Sequence, residues 1–132
     1  MNLETRDKAV MYLLLRRPMN LEHLIMTMYI IDRELYHRHG YTLFRWKASL
    51  PGPWSNDLYK TVKHLEKHHI IHKTQDDTLN LYTDKTEPDL NPQITEVIEE
   101  VLKTLKPNQL EDYIYTLPEI KNTPIETPLL KQ

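Results

Sequence analysis

A chain of 132 residues with 17 Lys and Arg against 19 Asp and Glu has a formal net charge of −2, and its length suits one domain with one core. It contains no Cys, which excludes a thiol nucleophile, an Fe–S cluster and a Cys-ligated zinc finger. With 2 Gly against 9 Pro, it also lacks the GxGxxG and GxxxxGK(S/T) loops that cradle phosphates.

No apolar stretch approaches the roughly 20 residues of a membrane span. The first residues, Met1 to Lys8, are charged and mixed rather than signal-like. A soluble cytoplasmic protein with no membrane partner is the expectation. The charge is unevenly placed. Residues 32–74 hold eight Lys or Arg against four Asp or Glu, with six of the seven His. Residues 75–106 hold eight Asp or Glu against three Lys. A near-neutral total therefore covers a basic middle and an acidic stretch after it.

Helical spacing of Ala9, Tyr12, Leu13 and Arg16 predicts a first helix over residues 5–16, stopped near Pro18. Asn20 can cap a second helix that runs to about His39. Leu21, Leu24, Ile25, Met28, Ile31 and Leu35 form its apolar stripe, and Gly40 supplies its stop. Residues 41–53 read as extended or irregular, with Pro51-Gly52-Pro53 as a breaker. Ser55 can cap a third helix from about Asn56 to His68. Leu58, Val62 and Leu65 face inward there, and Lys60, Lys63, His64 and Lys67 fall on its other sides.

Ile70 to Lys73 and Thr78 to Tyr82 read as the arms of a hairpin, with Gln75, Asp76 and Asp77 in its turn. A polar connector, Thr86 to Asn91, leads to a helix opened by Pro92. Its stripe is Ile94, Val97, Ile98, Val101, Leu102 and Leu105, suited to a core lid or a dimer face. A short helix with Leu110, Tyr113, Ile114 and Leu117 inward follows Pro107. The tail after Pro118 carries Pro124 and Pro128 and is expected to be flexible.

This order predicts a mainly α fold with a small β-hairpin: a winged helix-turn-helix core over residues 1–85, a C-terminal helical extension over 86–118 and a tail over 119–132. In such a core the third helix can enter a DNA groove and the hairpin can touch phosphates.

Candidate chemistry is sparse. His64 and His68 share a helix face, but His64 is not followed by Glu, so HExxH is absent, and Lys63 and Lys67 would repel a cation. No metal and no cofactor are expected. Without Cys or a GxSxG elbow, and with Ser55 explained as a cap, nucleophilic catalysis has no anchor, and no enzyme is expected. Asp32, Arg33 and Glu34 are adjacent on a helix and point apart, which suits structural ion pairs, for example to the loop before Pro51, rather than acid–base work. The basic residues Arg45, Lys47, Lys60, Lys63, His64, Lys67 and Lys73 are the candidate DNA contacts.

Residues 20–67 carry a further pattern. Tyr29, Asp32, Arg33, Glu34 and Gly40 stand in the arrangement YxxDRExxxxxG. Phe44 and Trp46, then Gly52-Pro53, then Ser55 before a helix, follow in order. This resembles the SocA-like, or Panacea, antitoxin-associated domain. The likeness covers roughly a third of the chain and fades after the hairpin. Pro51 stands where that family often has Tyr. The resemblance implies a helical, winged-helix-like domain with intracellular partners, commonly a toxin protein, and no catalytic residues.

Two functions are expected from these readings. One is a DNA-binding regulator or antitoxin-like protein, acting as a homodimer joined through its C-terminal helices. The other is a protein-interaction domain that binds a toxin or host partner, not DNA, around Tyr36, Trp46 and Trp54. Salt-sensitive DNA binding would favour the first. Loss of partner binding on changing Trp46 or Trp54 would favour the second.

Overall fold

In the computed structural model, residues 3–50, 52–81 and 87–131 are described. Pro51, Tyr82 at the end of the second hairpin arm, and Thr86 at the start of the connector lie outside them. The fold is mainly helical, with small antiparallel sheets.

Helix α1 spans Thr5–Arg16. Asp7 accepts the Glu4 backbone N–H at 2.9 Å and closes its first turn. Helix α2 spans Leu21–His39. The Asn20 side chain accepts the His23 N–H at 2.8 Å, as an N-cap should. At the other end Gly40 adopts φ 78° and donates its N–H to the Tyr36 carbonyl. That left-handed turn is open to Gly without steric cost. Residues 26–32 of α2 are all buried, more than one helix face can account for. Neighbours therefore surround α2 along this stretch, making it the centre of the fold.

After α2 come strands β1 (Trp46–Ala48) and β2 (Pro53–Trp54), inside the segment expected to be extended. Helix α3, Asn56–Lys67, begins where Ser55 Oγ accepts the Leu58 N–H at 3.1 Å. Strands β3 (Ile71–Lys73) and β4 (Leu79–Leu81) form the hairpin, with Ile71 opposite Leu81 and Lys73 opposite Leu79. Leu79 also donates its N–H to the Met19 carbonyl at 2.8 Å, so the link between α1 and α2 pairs with the hairpin.

The C-terminal part closes over this core. Helix α4 (Pro92–Thr104) packs on α1 and α2, and α5 (Leu110–Thr116) packs on α2. Ile94, Val97, Ile98 and Val101 are buried among the same residues as Leu13, Leu24 and Ile31. Four of the six residues of the α4 stripe, expected as a lid or as a dimer face, are therefore buried within their own chain, while Leu102 and Leu105 are half-buried. The buried part of the stripe thus serves the chain's own core rather than a dimer face.

The residues after Pro118 correct the expectation of a flexible tail. They form α6 (Pro118–Asn122) and strand β5 (Pro128–Leu129). Strand β5 pairs antiparallel with β1, Trp46 opposite Leu129, giving a sheet of order β2-β1-β5. Leu129 is buried, which anchors the strand. Proline content pointed to irregular chain, but one buried Leu and an open sheet edge outweigh it.

Candidate functional site

On α3, residues Asn56, Tyr59, Lys60, Lys63, His64 and Lys67 are all exposed. Their spacing places them on one stripe. The opposite side, Leu58, Thr61, Val62 and Leu65, is buried. Lys63 Nζ lies 3.7 Å from the Glu66 carboxylate and 5.4 Å from the Tyr59 ring centre. Lys60 and Lys67 join no ion pair among the described residues. The His64 and His68 rings stand edge to face, centres 4.6 Å apart. Among the described residues no group of three or more His, Asp or Glu converges as metal ligands would.

Four of the seven candidate DNA contacts thus share one face. Two others are ion-paired within the chain, Arg45 with its side chain still 86% exposed, and Lys47. Arg45 holds Asp57 with Nε at 2.9 Å and Nη2 at 3.0 Å, and its backbone N–H reaches the same carboxylate. Arg6 lies 3.6 Å away on the other side. The hydrogen bond from Arg45 holds the Asp57 carboxyl below its ordinary range, against the effect of burial. Lys47 Nζ meets Glu126 at 2.7 Å. Lys73 is exposed on β3, but the turn beyond it carries Asp76 and Asp77. Hydrogen bonds from the Thr74 and Thr78 residues keep Asp76 ionised to lower pH than usual. The hairpin tip is therefore acidic and would repel phosphates.

Trp46 is corrected as a surface docking residue. It is 4% exposed, with Tyr29 edge-on at 5.2 Å and Phe44 at 6.4 Å. Its indole N–H is donated to Asp32, which also accepts the backbone N–H groups of Leu43 and Phe44. Asp32 thus holds the loop before β1, as its structural reading expected, but by accepting three hydrogen bonds rather than in an ion pair. Burial pushes its carboxyl up to about 7, against the pull of those donors and of the Arg6 charge. Arg33 does form an ion pair, with Glu119 of α6 at 2.6 Å.

Tyr36 and Trp54 do not make one patch. Trp54 is half-buried and lines a groove of about 400 Å³ with the N-terminal part of α2. Tyr36 is half-buried eleven residues beyond Ile25, about 16 Å further along α2. The groove is lined by Leu21, Ile25 and Met26 of α2, by Leu50 and Trp54 of the β1–β2 segment, and by Ile114 and Tyr115 of α5. Except for Trp54, its lining residues were absent from the expected sites. Leu21 and Ile25 belonged to the apolar stripe expected for α2, with no sign that part of it would be left open. The groove itself arises because α5 and the β1–β2 segment stop short of covering that face.

Comparison with known protein families, with characterised proteins and with solved structures finds no match for this chain.

Proposed function

We propose that the chain is a non-enzymatic binding module of winged-helix type that contacts DNA through the outer face of α3, in the manner of a regulator or of the antitoxin-associated domains that residues 20–67 resemble. The winged-helix reading draws support from the element order α1, α2, α3, hairpin, and from the pairing of Met19 with Leu79, which ties the α1–α2 link to the hairpin. A three-stranded sheet built from β1, β2 and β5 is the addition to that plan.

The observation that carries the DNA reading is the stripe on α3. Lys60, Lys63, His64 and Lys67 stand exposed together on the side opposite the core, with Glu66 beside Lys63. Three lysines on a helix can sit against successive phosphates, and His64 can offer a ring nitrogen to a phosphate or a base edge. The acidic hairpin turn and the ion pairs of Arg45 and Lys47 favour α3 over the hairpin and β1 as the contact. The net charge of −2 and this small number of contacts imply modest affinity with a limited salt slope.

Fluorescence anisotropy with a labelled random-sequence duplex tests the reading. Three phosphate contacts predict a slope of about −2.7 in log affinity against log salt, or roughly a 40-fold loss between about 50 and 200 mM. The double variant Lys60→Glu/Lys63→Glu should abolish binding. Absence of binding by the wild type at about 50 mM salt would remove the DNA reading.

A further inference from the structure

We infer that the groove between α2, the β1–β2 segment and α5 is a docking site for an amphipathic segment of another protein, one that carries Lys or Arg beside its apolar residues. The site stands apart from the DNA contact: it lies on different elements and has the opposite charge.

The volume of about 400 Å³ falls in the range of sites that take up a ligand, with room for a few apolar side chains. Its floor is apolar, formed by Ile25, Met26 and Ile114. Met is a side chain that adapts its shape to a partner. At the lip Leu50 is 77% exposed, the most exposed large apolar residue among those described, and Tyr115 is 38% exposed. An apolar floor with apolar residues held up at the rim is the arrangement of a protein-binding surface.

The charge around it selects the partner. Glu22 lines the groove, and no Lys, Arg or His does. Glu111 is one helical turn before Tyr115 on α5. Both carboxylates act on the Tyr115 hydroxyl, which burial and then their charges push above its ordinary value. Neither Glu22 nor Glu111 pairs with a cation among the described residues. An acidic rim over an apolar floor disfavours nucleic acid and anionic lipid and favours a cationic amphipathic segment. A second copy of this chain fits poorly. Among the described residues the exposed Tyr59 stands beside Lys63, and a single ring would leave much of the groove unfilled.

The test uses the full chain and a labelled amphipathic Leu/Lys peptide of about 14 residues, four helical turns, with a Leu/Glu peptide of the same pattern and a Gly/Lys peptide as comparisons. Anisotropy should show saturable binding of the Leu/Lys peptide, with both comparisons weaker by about tenfold or more. Glu22→Lys/Glu111→Lys, both at exposed positions, should reverse the preference between the Leu/Lys and Leu/Glu peptides. Leu50→Ser should weaken Leu/Lys binding several-fold, and an unchanged thermal midpoint in each variant would show that the fold persists. Lys60→Glu/Lys63→Glu should leave peptide binding intact, so that failure of the DNA reading and failure of this one are seen separately. Equal binding of all three peptides, no binding, or indifference to Glu22→Lys/Glu111→Lys would overturn the proposal. So would concentration-dependent self-association of the wild type that Leu50→Ser abolishes, since the occupant would then be a second copy.

Discussion

Trp46 donates its indole N–H to the Asp32 carboxylate at 2.7 Å, with both side chains inside the core. This bond joins the centre of α2 to strand β1. The two adjacent backbone N–H groups, of Leu43 and Phe44, converge on the same carboxylate. The β1–β2–β5 sheet therefore hangs from one acidic side chain in α2, and with it the wall of the groove.

Trp46→Phe keeps most of the ring packing and removes one charge-assisted donor. It should cost about 1.5–3 kcal/mol in urea unfolding. Asp32→Ala strands three buried N–H donors and should cost more, about 3–5 kcal/mol. In a double-mutant cycle the two changes should be strongly non-additive. Additive losses would mean that the bond contributes nothing of its own.

The Asp32 carboxyl should titrate near pH 7, where burial places it, against about 3.9 in the unfolded chain. Between those values the native state binds the extra proton. The contribution of Asp32 to stability therefore falls as pH rises from about 4 to 7 and is level above. The carboxyl carbon NMR shift of Asp32 should show the midpoint directly. The stability of the wild type relative to Asp32→Asn should decline across the same window. A midpoint near 4 would show that the three donors fully offset burial.

The C-terminal residues should behave as part of the fold. Leu129→Ala removes the buried anchor of β5 and should cost about 2–4 kcal/mol. Glu119 accepts from both Arg33 and the Tyr29 hydroxyl. Burial raises its carboxyl, but the hydrogen bonds from Arg33, from backbone N–H and from Tyr29, with the Arg33 charge, together outweigh burial and hold it below the ordinary Glu value. Its contribution is thus present above about pH 4.3, the unfolded value, and is lost as pH falls through the lower folded one. Glu119→Gln should cost about 1–2 kcal/mol at neutral pH and progressively less in acid. Hydrogen exchange should show both variants loosening residues 118–129 first.

The paired and unpaired cations should differ in DNA binding. Arg45→Ala and Lys47→Ala remove groups that already hold Asp57 and Glu126, and each should change affinity less than about twofold at moderate salt. Lys60→Ala and Lys67→Ala should each reduce the salt slope by about 0.9. Equal losses at all four positions would place the contact across β1 as well as α3.

Helices α1 to α5 were legible in the sequence, because they rest on interactions a few residues apart, whereas α6 was not. Asn20 and Ser55 as caps, Gly40 as a left-handed stop and the two-sided pattern of α3 all follow from local geometry. The hairpin was legible for the same reason, and so was the exposed basic stripe of α3, since helical period alone separates Lys60, Lys63, His64 and Lys67 from Leu58, Val62 and Leu65. Local pattern carries no information about partners far along the chain. Trp46 looked like a docking aromatic until Asp32 and Leu129 met it, and Lys47 looked free until Glu126 did. The groove is the clearest case: its walls come from α2, the β1–β2 segment and α5, and none of the three contains a signal that the other two leave it open. Sequence determined which residues turn inward on each element. Only the tertiary structure decided which charges are neutralised and which apolar surface is left uncovered, because both depend on contacts between residues tens of positions apart.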